Sequence, residues 1–218
     1  MNVAIDGPAG AGKSTIAKIV AKKLGSIYVD TGAMYRAMAL YLIRLGLTPE
    51  DEDRFSDACK DARISLRYED GVQAVILSDE NVNDYIRTPE VSNMASVSSK
   101  NADVRAKLVA MQQELAKTTP VVMDGRDIGT KVLPDAQVKV YLTASVQCRA
   151  KRRYDEMVAK GEECDLKKVE EEIADRDYRD MHRENSPLVQ ADDAVLLDST
   201  DLSIGQVADR ILELCKNV

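Results

Sequence analysis

The sequence predicts an α/β fold in which a parallel β-sheet carries helices on both faces. Short apolar runs, typical of buried parallel strands, alternate with longer helical segments along most of the chain. Because parallel strands need long crossover connections, this alternation favours a parallel sheet. The predicted strands span 3–5, 27–29, 121–123, 138–142 and 194–197. The predicted helices span 14–24, 33–45, 103–117, 146–160, 166–183 and 203–216.

One region breaks this rhythm and indicates an insertion. Between residues 63 and 82 apolar residues alternate with polar ones in two runs, Ile64, Leu66, Tyr68 and then Val72, Ala74, Ile76. The tripeptide Glu69-Asp70-Gly71 separates the runs and is typical of a hairpin turn. We expect an antiparallel hairpin in an inserted subdomain that extends through the polar stretch 88–100. Two ordinary edge strands are the alternative.

Length and composition limit the classes of protein. A chain of 218 residues with 44% hydrophobic residues can form one α/β domain with a modest insertion. The net charge of -7 and the sequence pI of about 4.9 disfavour binding to nucleic acid or acidic membranes. One Phe and no Trp leave little material for stacking bases.

The cysteines and the N-terminus predict a cytoplasmic protein. Cys59, Cys148, Cys164 and Cys215 form no C-x-x-C pair, and we expect each to be a small buried or half-buried hydrophobe. The first residues carry no secretory leader pattern. No apolar run approaches the length of about 20 residues that a membrane span needs.

A glycine-rich loop after the first strand is the strongest functional signal. It has the pattern G-x-x-x-x-G-K-S between a strand and a helix, which is the context that a nucleoside triphosphate site requires. Its glycines let backbone N–H groups converge on one anion, and the helix N-terminus faces the same way. Lys13 supplies a positive charge, and the Ser14 hydroxyl is a predicted Mg²⁺ ligand. The predicted ATP-binding residues are Gly7, Pro8, Ala9, Gly10, Ala11, Gly12, Lys13, Ser14 and Thr15.

Two further strand ends carry polar residues. The segment from Asp30 to Arg36 follows the second strand, and in a doubly wound sheet ligands gather at the carboxyl ends of strands. Helix capping alone would also explain Asp30 or Thr31. The segment from Asp124 to Asp127 ends another buried strand, where an acid often supports Mg²⁺. A plain polar turn is the alternative there.

Arginines on two late helices form a third feature. Arg176, Asp180 and Arg183 project onto the side of the apolar residues Leu166, Val169 and Ile173. Charges that continue an apolar face favour an anionic ligand, which arginine binds bidentately. A solvated helix with internal salt bridges is the competing interpretation.

The sequence offers no obvious general base. The only histidine, His182, is interpreted as a surface or packing residue. A phosphate acceptor needs no strong base, because its second pKa of about 6 leaves it ionised at neutral pH. A phosphate acceptor is therefore favoured over a hydroxyl.

Together these motifs resemble the bacterial cytidylate (CMP) kinases, a branch of the nucleoside monophosphate kinases. The resemblance spans nearly the whole chain and includes 7–14, 30–36, 86–88, 124–129, 176–180 and 197–200. It implies a P-loop NTPase core in residues 1–62 and 100–218, a nucleoside-monophosphate-binding insertion at 63–99 and a lid at 149–165. It also implies Mg²⁺-dependent transfer of a phosphoryl group from ATP to CMP or dCMP, with no nucleic-acid, membrane or obligate protein partner.

The resemblance also implies roles for individual residues. The acceptor phosphate falls to Arg36, Arg126 and Arg183, the ribose to Ser96, Arg176 and Asp180, and the cytosine to Thr31, Arg105 and Asp127. Thr31 stands where some members of the family have Ser. Arg149 and Arg153 of the lid would stabilise the transferring phosphoryl group together with Lys13.

Two other functions are alternatives to a CMP kinase. A kinase for a sugar acid or a shikimate-like acceptor would need a base for the hydroxyl. A GTP-dependent switch would need [N/T]-K-x-D, and the only near match, 130–133, ends in Leu133 instead of Asp.

Overall fold

The computed structural model describes residues 1–69 and 72–218, which divide into two compact units. The first unit contains residues 1–26 and 120–218, and the second contains 27–119. The strands of the described residues are β1 (Val3–Asp6), β2 (Ile27–Asp30), β3 (Ile64–Glu69), β4 (Val72–Leu77), β5 (Glu80–Asn81), β6 (Val121–Gly125), β7 (Val138–Thr143) and β8 (Val195–Asp198). The α-helices are α1 (Lys13–Leu24), α2 (Thr31–Arg44), α3 (Phe55–Ala58), α4 (Pro89–Ser98), α5 (Ala102–Thr118), α6 (Val146–Ala159), α7 (Leu166–His182) and α8 (Ile204–Lys216).

The first unit is built on parallel strands in the order β6-β1-β7-β8. Val3 lies between Val122 of β6 and Val138 of β7, and all four residues of β1 are buried. Such a strand has no solvent face, which explains its continuous apolar sequence. Helices flank the sheet: α1 packs against β1 and β6, and α8 packs against β7 and α1. The α/β fold and the parallel strands of this unit are confirmed.

Helices α6 and α7 form a second apolar contact in the first unit. Ala150 packs with Val169 and Ile173 in a small buried cluster. Leu166 does not belong to it: the projection of α7 placed Leu166 on the apolar face, but this residue is 39% exposed in the first turn. The predicted helix to 183 also ends one residue early, because Arg183 has extended backbone angles. Arg183 therefore lies in the loop that follows α7.

The second unit contains the predicted hairpin. Strands β3 and β4 are antiparallel, with Ile64 opposite Leu77 and Glu69 opposite Val72. Asp70 and Gly71 of the predicted turn lie outside the described residues. A third strand, β5, was not predicted. It pairs antiparallel with β4 through the tight turn of Ser78 and Asp79, whose positive φ angles suit a two-residue hairpin loop.

Helix α4 was also not predicted, because its sequence was interpreted as a polar stretch. Thr88 caps it by accepting a hydrogen bond from Val91 N, and Pro89 occupies the first turn, where proline is tolerated. Its buried residues Val91, Met94, Ala95 and Ser98 recur at helical spacing, and α4 packs against α2. The polar residues between them face outward and hide this periodicity.

The described residues contain neither a candidate membrane span nor a cluster of metal-binding side chains. Across 1–69 and 72–218, no helix is long and apolar enough to cross a membrane. In the same residues no group of three or more His, Cys, Asp or Glu side chains could hold a metal ion. All four cysteines are free, and Cys59 and Cys215 are buried as expected.

Candidate active site

The glycine-rich loop lies between β1 and α1. Gly10 and Gly12 have left-handed φ angles of 75° and 85°, which favour residues without a side chain. A Cβ at Gly7 would lie 1.9 Å from the carbonyl oxygen of Leu142 on β7, so the loop starts in direct contact with its neighbouring strand. The glycines are therefore required by this geometry.

Lys13 is buried at the first residue of α1. Its Nζ donates a hydrogen bond to Pro8 O over 2.7 Å, across the loop. Burial and the nearby positive charge of Arg126 lower the pKa of Lys13 from 10.5 to about 7, although Asp124 and Asp6 favour the charged form. The ammonium is thus desolvated and lies among other cations, a position that an incoming phosphate would stabilise.

Ser14 and Asp124 connect the loop to the end of β6. The Ser14 hydroxyl donates a 2.9 Å hydrogen bond to Asp124 Oδ2, and the Asp124 residue is buried. Oxygen ligands of this kind suit Mg²⁺, which keeps several waters and takes its other ligands from phosphate oxygens. The two oxygens fit this ion: the sequence predicts Ser14 as a ligand and an acid at the end of this strand as a support for Mg²⁺.

Asp6, the last residue of β1, fixes the segment that follows β6. Its Oδ1 accepts a hydrogen bond from Ile128 N at 2.8 Å, and its Oδ2 accepts one from Gly129 N at 2.7 Å. Burial raises the pKa of Asp6 from 3.8 to about 6, and the two N–H donors counteract this rise. Asp6 therefore fixes the backbone next to Asp127, a predicted cytosine contact.

Arg126 forms an ion pair with a predicted ribose-binding residue. Its Nε donates to Asp180 Oδ2 on α7 over 2.7 Å. Burial alone would lower the pKa of Arg126, but Asp180 together with Asp124 and Asp6 outweighs burial, so the net shift is upward. Burial likewise opposes ionisation of Asp180, but Arg126 together with Arg176 and Arg183 outweighs burial, so the pKa of Asp180 is lowered. Both groups therefore stay charged near neutral pH.

Arg183 and Asp127 form a second, looser ion pair. Arg183 Nη2 lies 3.9 Å from Asp127 Oδ1, and both side chains are almost completely buried. Arg183 Nε also donates to Ser186 O at 2.6 Å. The structure thus joins four predicted substrate residues of the first unit into two Arg–Asp pairs. Arg176, in the same helix as Asp180, is exposed.

The two predicted lid arginines differ in their surroundings. Arg149 is 3% exposed and forms a bidentate ion pair with Asp177 of α7. Its Nη1 also donates to Ala9 O at 2.9 Å, and a Cβ at Gly10 would lie 3.2 Å from Arg149 Cβ. Arg153 is half exposed, and Glu156 lies 3.8 Å away. Arg149 therefore connects α6, α7 and the loop, whereas Arg153 has an accessible guanidinium.

His182 has only local contacts among those described. Its ring stacks on Tyr178 with centroids 4.1 Å apart, and its Nδ1 lies 2.8 Å from Tyr178 O. The residue is exposed, in agreement with its interpretation as a surface or packing residue.

In the second unit, predicted residues gather at the start of α2. Asp30 caps this helix by accepting a hydrogen bond from Ala33 N at 2.8 Å, which confirms its capping role. Its other carboxylate oxygen pairs with Arg36 Nη2 at 3.2 Å. Arg36 Nε is buried and has no hydrogen-bond partner among the described residues. Thr31, the first residue of α2, is 3% exposed.

The remaining predicted residues of the second unit lie on α4 and α5. Arg105 is buried, and its guanidinium lies over the ring of Tyr35 at 5.6 Å. Its Nη1 also donates to Ser99 O. Ser96 is half buried on α4. Tyr35 was not predicted, although its place between Thr31 and Arg36 was a usable signal.

Sequence reasoning also missed Asp6 and Asp177. Asp177 lies inside the segment 176–180 that the resemblance includes, whereas Asp6 falls between the predicted strand 3–5 and the loop. Neither sequence position reveals the partner, because Asp6 bonds to residues 122 and 123 positions away.

Comparison with known proteins gives a consistent result. A family model described as "Cytidylate kinase" matches residues 3–217. A cytidylate kinase of Caldicellulosiruptor bescii is 50% identical over 214 residues, covering 98% of this chain and 95% of the relative. One of Leuconostoc mesenteroides is 51% identical over 215 residues, covering 99% and 96%. Among solved structures, shikimate kinase from Bacteroides thetaiotaomicron has a TM-score of 0.51 at 15% identity, covering 99% and 98%, and shows the fold alone. The chain belongs to the cytidylate kinase family.

Proposed function

We propose that this chain is an ATP-dependent kinase that converts CMP and dCMP into CDP and dCDP. The observation that carries the proposal is the buried ammonium of Lys13, which the glycine-rich loop holds in the same unit as the Arg126–Asp180 and Arg183–Asp127 pairs. This unit thereby combines a loop for the donor phosphates with arginines for an acceptor phosphate. The family membership supports the same reaction.

The proposed chemistry is mainly positioning and charge stabilisation. An acceptor phosphate is already ionised, so the enzyme has to hold two anionic groups together and stabilise the charge that develops between them. Lys13 and Arg153 would supply that charge, and Arg149 would hold the loop and α7 in place. Closure of a lid at 149–165 would exclude water from the reaction.

Mg²⁺ is a proposed cofactor. Ser14 and Asp124 would hold it, and the ion would neutralise charge on the donor phosphates. Depletion of divalent cations should therefore abolish turnover, whereas Mg²⁺ should restore it.

We assign the substrate contacts as the resemblance implies. On the second unit, Arg36 would bind the acceptor phosphate, Ser96 the ribose, and Thr31 and Arg105 the cytosine. On the first unit, the phosphate would be bound by Arg126 and Arg183, the ribose by Arg176 and Asp180, and the cytosine by Asp127. The buried Arg36 Nε without a partner supports this assignment, because a phosphate oxygen would satisfy it. The insertion at 63–99 is the proposed monophosphate-binding segment.

The location that we propose is the cytoplasm, because the free cysteines suit a reducing compartment.

A coupled assay of ADP release tests the proposal. The acceptors are CMP, dCMP, UMP, AMP, GMP, shikimate and gluconate at equal concentrations. We expect kcat/KM for CMP and dCMP to exceed that for UMP by at least about tenfold, because an unpaired buried carboxylate costs about 1–3 kcal/mol. A higher kcat/KM for any other acceptor would overturn the assignment.

A further inference from the structure

The side chain of Gln73 on β4 binds the main chain of Asp30 in two directions. Its Oε1 accepts a hydrogen bond from Asp30 N at 2.9 Å, and its Nε2 donates one to Asp30 O at 3.3 Å. A primary amide carries a donor and an acceptor side by side, so Gln and Asn can bind both groups of one backbone residue. Gln73 thus behaves towards Asp30 as a neighbouring strand would.

The residue fixed in this way controls the start of α2. Asp30 Oδ1 caps the helix at Ala33 N, and Asp30 Oδ2 pairs with Arg36 Nη2. The backbone of Asp30 sets where its carboxylate lies, and the carboxylate sets where the guanidinium of Arg36 lies. Gln73 is therefore connected to Arg36 through Asp30.

A second amide supports Gln73 from the other side. Asn83 Oδ1 accepts a hydrogen bond from Val75 N at 3.0 Å, and Asn83 Nδ2 donates one to Gln73 O at 2.9 Å. Asn83 follows β5, a strand of only two residues, and continues its pairing with β4 by side-chain atoms. The backbone of β4 at Gln73 is therefore held on the side of β5 as well as by β3.

We propose that Gln73 is a positioning residue for the acceptor nucleotide. The chain of contacts from Asn83 through Gln73 and Asp30 to Arg36 transmits the geometry of the three-stranded sheet to the guanidinium that binds the acceptor phosphate. This inference rests on the proposed function, which assigns the acceptor phosphate to Arg36. If Gln73 positions Arg36, the three-stranded sheet contributes to substrate binding.

Two substitutions of Gln73 test the proposal. Gln73→Met keeps the length of the side chain and removes both hydrogen bonds, and Gln73→Glu replaces the donor with an oxygen that faces the Asp30 carbonyl. We expect each variant to raise KM for CMP by roughly fivefold, the effect of losing one or two hydrogen bonds. KM for ATP should stay within about twofold of the wild-type value, because the donor loop belongs to the other unit.

Ile76→Val on the same strand is the matched control. Ile76 is buried, so its truncation should lower the melting temperature while leaving KM for CMP unchanged. A structural role of Gln73 would make its variants resemble this control. Asn83→Ala, which removes the support of Gln73, should raise KM for CMP in the same direction and serves as a second test if a Gln73 variant does not fold.

The decisive measurement is the Gln73→Met substitution in an Arg36→Ala background. Because Gln73 acts through Arg36, it should then add almost nothing to KM for CMP. An equal effect of Gln73→Met in both backgrounds, or an unchanged KM for CMP in the single variants, would overturn the positioning role. Absence of CMP turnover by the wild-type enzyme would instead overturn the proposed function, and the role of Gln73 with it.

Discussion

Replacement of Lys13 by methionine should lower turnover and raise the stability of the ligand-free protein. Methionine has a similar length and no charge, so Lys13→Met removes the ammonium that we propose for the phosphoryl group. Turnover with CMP should fall by at least about a hundredfold, because a preorganised charge on the transferring group contributes several kcal/mol. The ligand-free protein should nevertheless become more stable near neutral pH, because the buried charge is lost.

The size of this stabilisation depends on pH. A fall in the pKa of Lys13 from 10.5 to about 7 makes the charged form about 5 kcal/mol less favourable in the folded than in the unfolded protein. Between these values the unfolded chain binds more protons than the folded one, so the wild-type free energy of unfolding gains about 1.4 kcal/mol per pH unit relative to the variant. The advantage of Lys13→Met is therefore greatest at or below pH 7 and is lost progressively towards pH 10.5. The lost hydrogen bond to Pro8 O adds an offset that does not change with pH.

Urea unfolding of the ligand-free proteins at pH 7, 8 and 9 measures the effect. The free energy of unfolding of Lys13→Met minus that of the wild type should decrease by about 2–3 kcal/mol over this range. Lys22→Met is the control for the loss of a lysine charge, because Lys22 is exposed on the same helix. A flat difference for Lys13→Met would refute the reasoning about its burial. Near-normal turnover of that variant would refute its catalytic role.

The elements of this fold could be predicted where local pattern decides them. Buried runs such as 3–5 became strands with ends shifted by about one residue, because a strand buried on both faces must be continuously apolar. The loop was predictable because its function needs glycines at fixed positions. By contrast, α4 was missed, because its apolar face lies on α2 while the sequence between the contacts is polar.

The parts of the candidate site that could not be predicted are those that depend on long-range contacts. Asp6 and Gln73 act on backbone groups far along the chain, and no local pattern names those partners. Arg149 was expected to face the phosphoryl group, yet its environment contains Asp177 and the Ala9 carbonyl. Residue types thus indicated the chemistry of the site. The packing of helices and strands determines which side chains contact each other, and residue types do not reveal it.

Three further predictions concern the arginines and the base. Arg126→Ala and Arg183→Ala should each weaken CMP binding far more than ATP binding in separate titrations, and equal losses would favour a purely structural salt bridge. Arg149→Ala should lower both the melting temperature and turnover, because a buried ion pair is broken. Arg153→Ala should lower turnover alone, because Arg153 is half exposed. A similar fall in melting temperature in both variants would contradict this difference. Asp127→Asn should narrow the preference for CMP over UMP. The N4 amino group of cytosine donates where uracil presents O4, so a buried carboxylate matches cytosine and opposes uracil, whereas an amide can donate as well as accept. The variant should therefore lose CMP activity and gain relative activity with UMP. Identical CMP-to-UMP ratios of kcat/KM in the wild type and Asp127→Asn would show that this carboxylate does not read the base, even if the kinase activity stands.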